Sequence, residues 1–201
     1  MTPQEIHARL SAEFEEAIEH FEAEVAQPWI QVDPMRLDEI VLFLREESDL
    51  DCDRLLLVSG IDWEGLDENG KGKHRAISRY AEDGTAEPPG APGTGDLGVT
   101  YHLQSRRHMH QVVLKVRLPR EGARVKTLSH VHATAQWGER ETFDFYGIVF
   151  VGHPDLRRMF LPEDWEGWPL RKDYAMPTVY HDVPLEGLPL ATREKQREAG
   201  E

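Results

Sequence analysis

Ten histidines are the residues of this chain with the clearest capacity for metal chemistry. His130 and His132 are spaced i, i+2, which brings both imidazoles to one side of a strand but not of a helix. Since no carboxylate stands at a fixed place beside them, the sequence favours surface histidines at a hairpin end over a metal site. The alternative left open is a free-standing metal-dependent enzyme that uses His102, His108, His110, His130, His132 and His153.

Three carboxylates, Glu139, Glu141 and Asp144, form a second candidate, a general acid and base pair. Glu141 and Asp144 share one helical face. However, the sequence shows no nucleophile motif or dinucleotide fingerprint, because GAPGTG lacks the spacing and the flanking strand and helix. We therefore expect salt bridges within an interface, and no catalytic, cofactor-binding or metal-binding residue in this chain.

Basic pairs and tryptophans are concentrated in residues 139–174. Arginine binds carboxylates with two hydrogen bonds and stacks on aromatic rings, and Trp and Arg dominate binding hot spots. The pairs are either solvated or anchors of a protein interface, and we predict the second. The predicted partner interface consists of Trp137, Arg140, Glu141, Asp144, His153, Asp155, Arg157, Arg158, Trp165, Trp168, Arg171, Lys172 and Asp173.

Residues 137–146 are predicted to form the helix that positions these groups. At 100° per residue, one side carries Trp137, Arg140, Glu141 and Asp144. Phe143 and Tyr146 lie roughly opposite, so we expect cover on two sides of the helix, one by the domain's own sheet. Gly147 is the expected C-cap.

After this helix, glycines and prolines prevent long helices or strands. Residues 151–201 are therefore predicted to be an extended, turn-rich arm and tail. The arm carries Trp165, Trp168, Met159 and Phe160, which together are more apolar surface than a soluble protein usually leaves exposed to water. We expect it to lie along a surface, its own domain's or a partner's.

The first 27 residues are predicted to form an amphipathic helix. Thr2, Pro3 and Glu5 make a capping box. One apolar stripe follows at spacings of three or four, formed by Ile6, Leu10, Phe14, Ile18, Phe21 and Val25. The helix packs on its own domain or on another subunit.

Residues 28–150 read as one α+β domain, a mostly antiparallel sheet with helices on one face. We expect a strand at 29–32, a helix capped by Asp33-Pro34 and a buried strand at 55–58 that reaches Ile61 and Trp63. A loop at 67–73, a strand at 74–80 and a mobile insertion at 82–96 are predicted to follow. Period-two alternation then predicts a hairpin, with inward side chains Leu97, Val99, Tyr101 and Leu103 opposite Val112, Leu114, Val116 and Leu118. The second helix packs through Leu37, Ile40, Val41 and Leu44.

Composition excludes several classes. The chain has 201 residues and a formal net charge of −14, which argues against nonspecific nucleic-acid binding and against a polybasic membrane anchor. Its single cysteine, Cys52, holds neither a disulfide framework nor an iron–sulfur cluster alone and suggests a reducing compartment. With no apolar run near 20 residues and no signal-peptide core, we expect a soluble chain that meets a membrane only through partners.

Residues 135–174 resemble a known family. The helix end ERE-x-x-D-x-x-G-I, the turn G-H-P-D-L-R-R and the ending P-E-D-W-x-G-x-P-L-R-K-D-Y are similar to the C subunit of bacterial NADH:quinone oxidoreductase, the 30-kilodalton subunit of respiratory complex I. The YHLQS and VVLKVRLP segments stand upstream in the expected order. The chain departs from the family pattern at Gln136 and Gly138, near the helix start.

The resemblance implies a structural subunit of the peripheral arm, without flavin or cluster of its own; FMN and iron–sulfur clusters are expected in other subunits. Its implied partners are the large subunit that helps to form the quinone site and cluster-bearing neighbours, at the cytoplasmic face of the cell inner membrane. A homologous subunit of a membrane-bound hydrogenase-type complex is the close alternative.

Overall fold

The computed structural model describes residues 1–63 and 96–185. The helices in these ranges are α1 (Pro3–Phe14), α2 (Leu37–Glu46) and α3 (Ala135–Tyr146). The strands are β1 (Ile18–Glu22), β2 (Trp29–Val32), β3 (Arg54–Asp62), β4 (Leu97–Gln104), β5 (Gln111–Leu118), β6 (Arg124–Lys126), β7 (Val149–Val151), β8 (Val179–Tyr180) and β9 (Val183–Pro184). The predictions for residues 67–73, 74–80 and 82–95 lie outside the described residues.

The main sheet has five strands in the order β1-β2-β5-β4-β3. β2 runs parallel to β5, and β6 runs parallel to β7 in a separate pair. The fold is α+β as predicted, but the prediction of a mostly antiparallel sheet was wrong, because the sheet is mixed. Alternation shows which residues are in strands, whereas the direction of a neighbouring strand depends on how distant segments pack.

The predicted hairpin is confirmed. β4 and β5 pair antiparallel without a register shift, from Leu97 opposite Leu118 to Gln104 opposite Gln111. The inward side chains of β4 are fully buried and pack with residues of all three helices in one core cluster. The helices therefore share the core with the inner face of the sheet, as the sequence predicted.

The second helix has the predicted core face, since Leu37, Ile40, Val41 and Leu44 are all fully buried. Its start differs from the prediction. Asp33 does not cap α2; its carboxylate accepts the Met35 backbone N–H at 2.8 Å in a turn that precedes the helix. Arg36 occupies the N-cap position without a side-chain capping bond.

The predicted long N-terminal helix was wrong beyond Phe14. The capping box at Thr2 and Glu5 is present, but a short 3-10 turn follows α1 and the chain then enters β1. A register shift between Ile18 and His20 places Ile18 opposite Val32 and Phe21 opposite Ile30. Because of this β-bulge, Ile18 and Phe21 face the core at a spacing of three, which imitates a helical stripe.

The strand predicted to be continuously buried is β3, at one edge of the sheet. Leu55 and Val58 are buried, but Leu56 and Leu57 are about half exposed. A register shift between Leu55 and Leu57 and the edge position explain the exposure. At its end, the Trp63 backbone N–H donates to the Asp96 carbonyl at 2.9 Å, so the two chain ends beside residues 64–95 meet.

Helix α3 packs closely on β3, and two glycines allow the approach. A Cβ at Gly138 would lie 2.8 Å from the Val58 Cβ, and one at Gly60 would overlap the Tyr146 ring. Both contacts need a residue without a side chain. The sheet and α3 are thus in direct contact at two points.

We expect Gly60→Ala to destabilise the chain by roughly 1–3 kcal/mol, because the added methyl group displaces the Tyr146 ring in a packed core. Urea unfolding measures the change. Ser59→Ala is the matched control, since Ser59 is on the same strand and faces the other side of the sheet. Equal midpoints for the two variants would show that the close approach is dispensable.

Candidate partner interface

Helix α3 begins at Ala135, two residues before the predicted start. Thr134 stands at its N-cap but donates its hydroxyl to the Leu55 carbonyl instead of capping the helix. The predicted C-cap is confirmed: Gly147 has φ 68° and its N–H donates to the Phe143 carbonyl at 2.9 Å. The arm follows directly from this end of α3.

The carboxylate of Asp144 holds the arm on α3. It is fully buried, and its Oδ2 accepts the successive backbone N–H groups of Met159, Phe160 and Leu161 at 2.9, 2.6 and 3.0 Å. Oδ1 accepts a bond from the Arg158 guanidinium at 2.9 Å. Burial raises the pKa of Asp144, but these amides and Arg158 together hold it below its ordinary value. The carboxylate is therefore ionised at neutral pH and bound on both oxygens.

Arg158 links α3 to the Trp165–Trp168 segment of the arm. Besides Asp144, it donates to the carbonyls of Trp165 at 2.9 Å and Gly167 at 3.1 Å. Its guanidinium lies 4.5 Å from the Trp168 ring centroid. The Arg158 guanidinium is thus neutralised by Asp144 and hydrogen-bonded within this chain. Neither its charge nor its N–H groups require a partner protein.

The second half of the arm returns to the C-terminal end of α3. The Trp168 indole fills the space beside Gly147 and meets the Phe143 ring edge-on at 5.4 Å. Arg171 donates to the Tyr146 carbonyl at 2.6 Å, so it satisfies a carbonyl of the last helical turn. Trp165 donates to the Tyr174 hydroxyl at 3.1 Å. Both predicted tryptophans are therefore partly covered by their own chain.

Asp62, at the end of β3, fixes the far end of this segment. Its carboxylate accepts the Lys172 backbone N–H at 2.8 Å and pairs with Arg120, which also contacts Asp173 at 3.0 Å. Neither Asp62 nor Arg120 is among the predicted interface residues. No local spacing indicated them, since the three segments that meet here are far apart in the chain.

The turn between β7 and the arm is held by Arg140 and His153. Arg140 donates to the carbonyl of Arg157 at 3.3 Å and lies 3.8 Å from the Asp155 carboxylate. The His153 imidazole is buried against the start of α3, whereas Arg157 is largely exposed and pairs with Asp155. Of the four side chains at this turn, Arg157 and Asp155 are exposed, whereas Arg140 and His153 are buried.

Several large apolar side chains on α3 and the arm remain exposed. No described residue after Phe150 is buried over its whole surface, so the arm is covered on one side only. Trp137 is 64 % exposed on α3, although the predicted helical face joined it to the buried Asp144. Glu141 is exposed beside it. Other exposed apolar residues of the arm include Phe160, Leu170 and Met176, at 60, 51 and 60 %.

In residues 1–63 and 96–185, no three His, Cys, Asp or Glu side chains form a group that could hold a metal ion. In the same ranges, no helix is long and apolar enough to cross a membrane. What the arrangement offers is a preformed surface of aromatic and aliphatic side chains beside α3. The absence of a cofactor in this chain stays a prediction.

Replacing Asp144 by Asn should detach the arm, because an amide cannot accept from three N–H groups and from Arg158 on two negative oxygens. We expect a loss of roughly 1–3 kcal/mol in unfolding free energy and faster hydrogen exchange at residues 158–161. Asp155→Asn is the control, since Asp155 is half exposed. Unchanged exchange in the Asp144 variant would refute the anchoring role.

Comparisons with known proteins find relatives of this chain in one family. Residues 30–180 match the family described as "Respiratory-chain NADH dehydrogenase, 30 Kd subunit". The C subunit of NADH-quinone oxidoreductase from Chlorobium phaeobacteroides is 33% identical over 172 residues, which cover 85% of this chain and 87% of that protein. The same subunit of Chloroherpeton thalassium is 33% identical over 184 residues, covering 90% of this chain and 65% of that protein. This chain thus spans just under two thirds of the Chloroherpeton relative.

Two solved structures share the fold. The trypsin-resistant fragment of Nqo5 has a TM-score of 0.51 and 21% identity, and the match covers 75% of this chain and 98% of that chain. A chain of the membrane-bound sulfane sulfur reductase, an archaeal respiratory membrane complex, has a TM-score of 0.61 and 18% identity, covering 97% and 91%. At these identities the likeness concerns the fold alone.

The resemblance noted in the sequence is confirmed by the match over residues 30–180, which includes all of α3 and most of the described arm. The chain belongs to the family of the 30-kilodalton subunit of respiratory-chain NADH dehydrogenase, and the C subunits of bacterial NADH-quinone oxidoreductases are its relatives.

Proposed function

We propose that this chain is a non-catalytic structural subunit of the peripheral arm of a proton-translocating NADH:quinone oxidoreductase. The observation that carries the proposal is the family match, which spans residues 30–180. Electrons pass from NADH to quinone in the assembly, and the flavin and iron–sulfur clusters belong to other subunits. This chain has no active site or cofactor of its own.

The partners in this proposal are the large subunit that helps to form the quinone site and cluster-bearing neighbours. The structure supports a protein-binding role because the arm exposes Phe160, Leu170 and Met176 while its charged anchors are satisfied internally. Aromatic side chains and methionine are enriched in the buried cores of protein interfaces. The exposed Trp137 and Glu141 extend this surface along α3. Through these partners the subunit lies peripherally at the cytoplasmic face of the inner membrane.

A related membrane-bound complex is the second candidate. It is favoured by the likeness to the archaeal sulfane sulfur reductase chain, which covers 97% of this chain. A hydrogenase-type complex would use the same structural module in the same way. Purification of the tagged chain from its own cells, with identification of the bound proteins, separates the two. An NADH-oxidising subunit among them supports the first candidate, and its absence from an intact complex supports the second.

The apolar surface beside the arm should be required for assembly. We expect Met176→Asp to reduce recovery of the assembled complex about tenfold, because a buried unpaired charge costs more than the roughly 1.4 kcal/mol to which that factor corresponds. Met35→Asp is the matched control, since Met35 is 69 % exposed in the turn before α2. Blue native gels and quinone-linked NADH oxidation measure the outcome.

The melting temperature of the free chain should be nearly the same for the two methionine variants, since both side chains are exposed. Equal recovery of the complex from both variants would show that Met176 is not part of the interface. Normal assembly together with lost turnover would instead assign a catalytic role to this surface, which contradicts the structural proposal.

A further inference from the structure

Glu139 lies on the face of α3 that is turned into the domain, and its side chain is fully buried. Its Oε1 accepts the Leu128 backbone N–H at 2.7 Å. Its Oε2 is hydrogen-bonded to the Thr127 hydroxyl. The carboxyl group therefore sits where the loop after β6, helix α3 and the turn after β7 meet.

No cation faces this carboxyl group from the described elements around it. β4 presents the buried phenol of Tyr101, whose pKa is raised by burial and by Glu139, so it is neutral. The loop after β6 presents Thr127, while the neighbouring Lys126 is turned to Asp38 at 3.0 Å. On α3 itself, Arg140 points to the arm.

The turn after β7 presents His153, whose Nε2 lies 4.0 Å from the Glu139 Oε2. Its Nδ1 accepts the Asp155 backbone N–H at 3.0 Å, and its Nε2 faces the Gln136 carbonyl at 3.1 Å. These partners require a hydrogen on Nε2 and none on Nδ1, which is the neutral tautomer. His153 is therefore not the counter-ion of Glu139.

Two hydroxyl groups connect Glu139 to the surface. The Thr127 Oγ1 lies 2.9 Å from the Ser129 Oγ and accepts the Ser129 backbone N–H at 3.1 Å. Ser129 is partly exposed and is followed by the exposed His130. Hydroxyl groups both donate and accept, so this short chain can carry a proton in either direction.

We propose that Glu139 is a proton-binding site inside the domain, which exchanges its proton with solvent through Thr127 and Ser129 and thereby controls how firmly the His153 turn is attached to α3. This inference is independent of the proposed function. A buried carboxyl group with hydrogen-bond partners but no counter-charge holds a proton more tightly than one in water. In agreement, burial raises the pKa of Glu139 from 4.5 to about 7, against the opposing effect of the bonds from Thr127 and Leu128.

The proton transfer balances over the three side chains. In the protonated state, the Glu139 O–H donates to the Thr127 Oγ1, and the Thr127 O–H donates to the Ser129 Oγ. On ionisation, the O–H bond of Glu139 breaks, each hydroxyl reverses its donor direction, and one proton passes from Ser129 to a water molecule. The carboxylate then accepts from Thr127.

Ionisation reaches the arm through His153. A negative charge 4.0 Å from the Nε2 attracts the N–H that otherwise donates to the Gln136 carbonyl. The same ring holds the Asp155 N–H through its Nδ1. A displaced imidazole therefore loosens the first residues of the arm, whereas the Asp144 contacts further along are untouched.

Infrared spectroscopy of the full chain across a pH titration tests this. We expect a carboxylic acid C=O band that disappears with a midpoint near pH 7. The band should be absent in Glu139→Gln and present in Glu141→Gln, since Glu141 is an exposed carboxyl group on the same helix. An absent band, or a midpoint at the ordinary value of 4.5, would overturn the proposal.

Thr127→Val tests the hydrogen bond between the Thr127 hydroxyl and Glu139, the first step of the relay. Because the Thr127 bond stabilises the ionised form, its removal should shift the midpoint to higher pH, and Thr127→Ser should restore it. An unchanged midpoint in Thr127→Val would show that the Thr127 hydroxyl does not contribute to the site.

The folded chain binds this proton more tightly than the unfolded chain, so its stability should fall as pH rises from 4.5 to about 7 and level off above. Glu139→Gln should lack this contribution, while Glu141→Gln should keep it. Hydrogen exchange at the Asp155 amide should accelerate over the same pH range, beyond the intrinsic pH effect, in the unchanged chain and in Glu141→Gln. The same acceleration in Glu139→Gln would show that the turn responds to another group.

Discussion

The Asp144 carboxylate is the contact on which the arm of this protein depends. It accepts three consecutive backbone N–H groups and a guanidinium, all from a segment that has little regular structure to satisfy them. A buried anion of this kind is tolerable only when each of its lone pairs is engaged. Residues 158–161 are therefore held in place by one side chain of α3. The apolar groups beside that segment are therefore held in a fixed arrangement, which would lower the ordering cost of any association through them.

Sequence patterns predicted the elements whose signals are local. The β4/β5 hairpin followed from strict alternation, the core face of α2 from its 3.6-residue period, and the end of α3 from Gly147. The sequence also placed the predicted interface on α3 and the arm, which are contiguous and resemble one family there, and the binding of a partner at these residues stays a prediction. What local patterns did not reveal was that Asp144 and Arg158 bind each other within the chain.

The errors arose where tertiary contacts decide the outcome. Ile18 and Phe21 have a helical spacing, yet a bulge and pairing with β2 place them in a strand. The direction of β2 beside β5 depends on residues far along the chain. Asp62 and Arg120 meet Lys172 from separate elements, so neither showed any signal in its own neighbourhood. Pairing between distant segments is a property of the whole fold, and no window of sequence contains it.

The hydrogen bond between Trp63 and Asp96 has a consequence for the connection between β3 and β4. It joins the ends of two strands that are already antiparallel neighbours, so the connection between them begins and ends at nearly the same point. When the ends of a connection are held together in this way, each doubling of its length costs only about 0.6 kcal/mol in closure entropy. A change in the length of this connection is therefore expected to leave the pairing of β3 with β4 in place. A purification tag or a fluorescent label is better inserted between residues 64 and 95 than at the junction, because the Trp63–Asp96 bond and the contacts of Asp62 then stay in place.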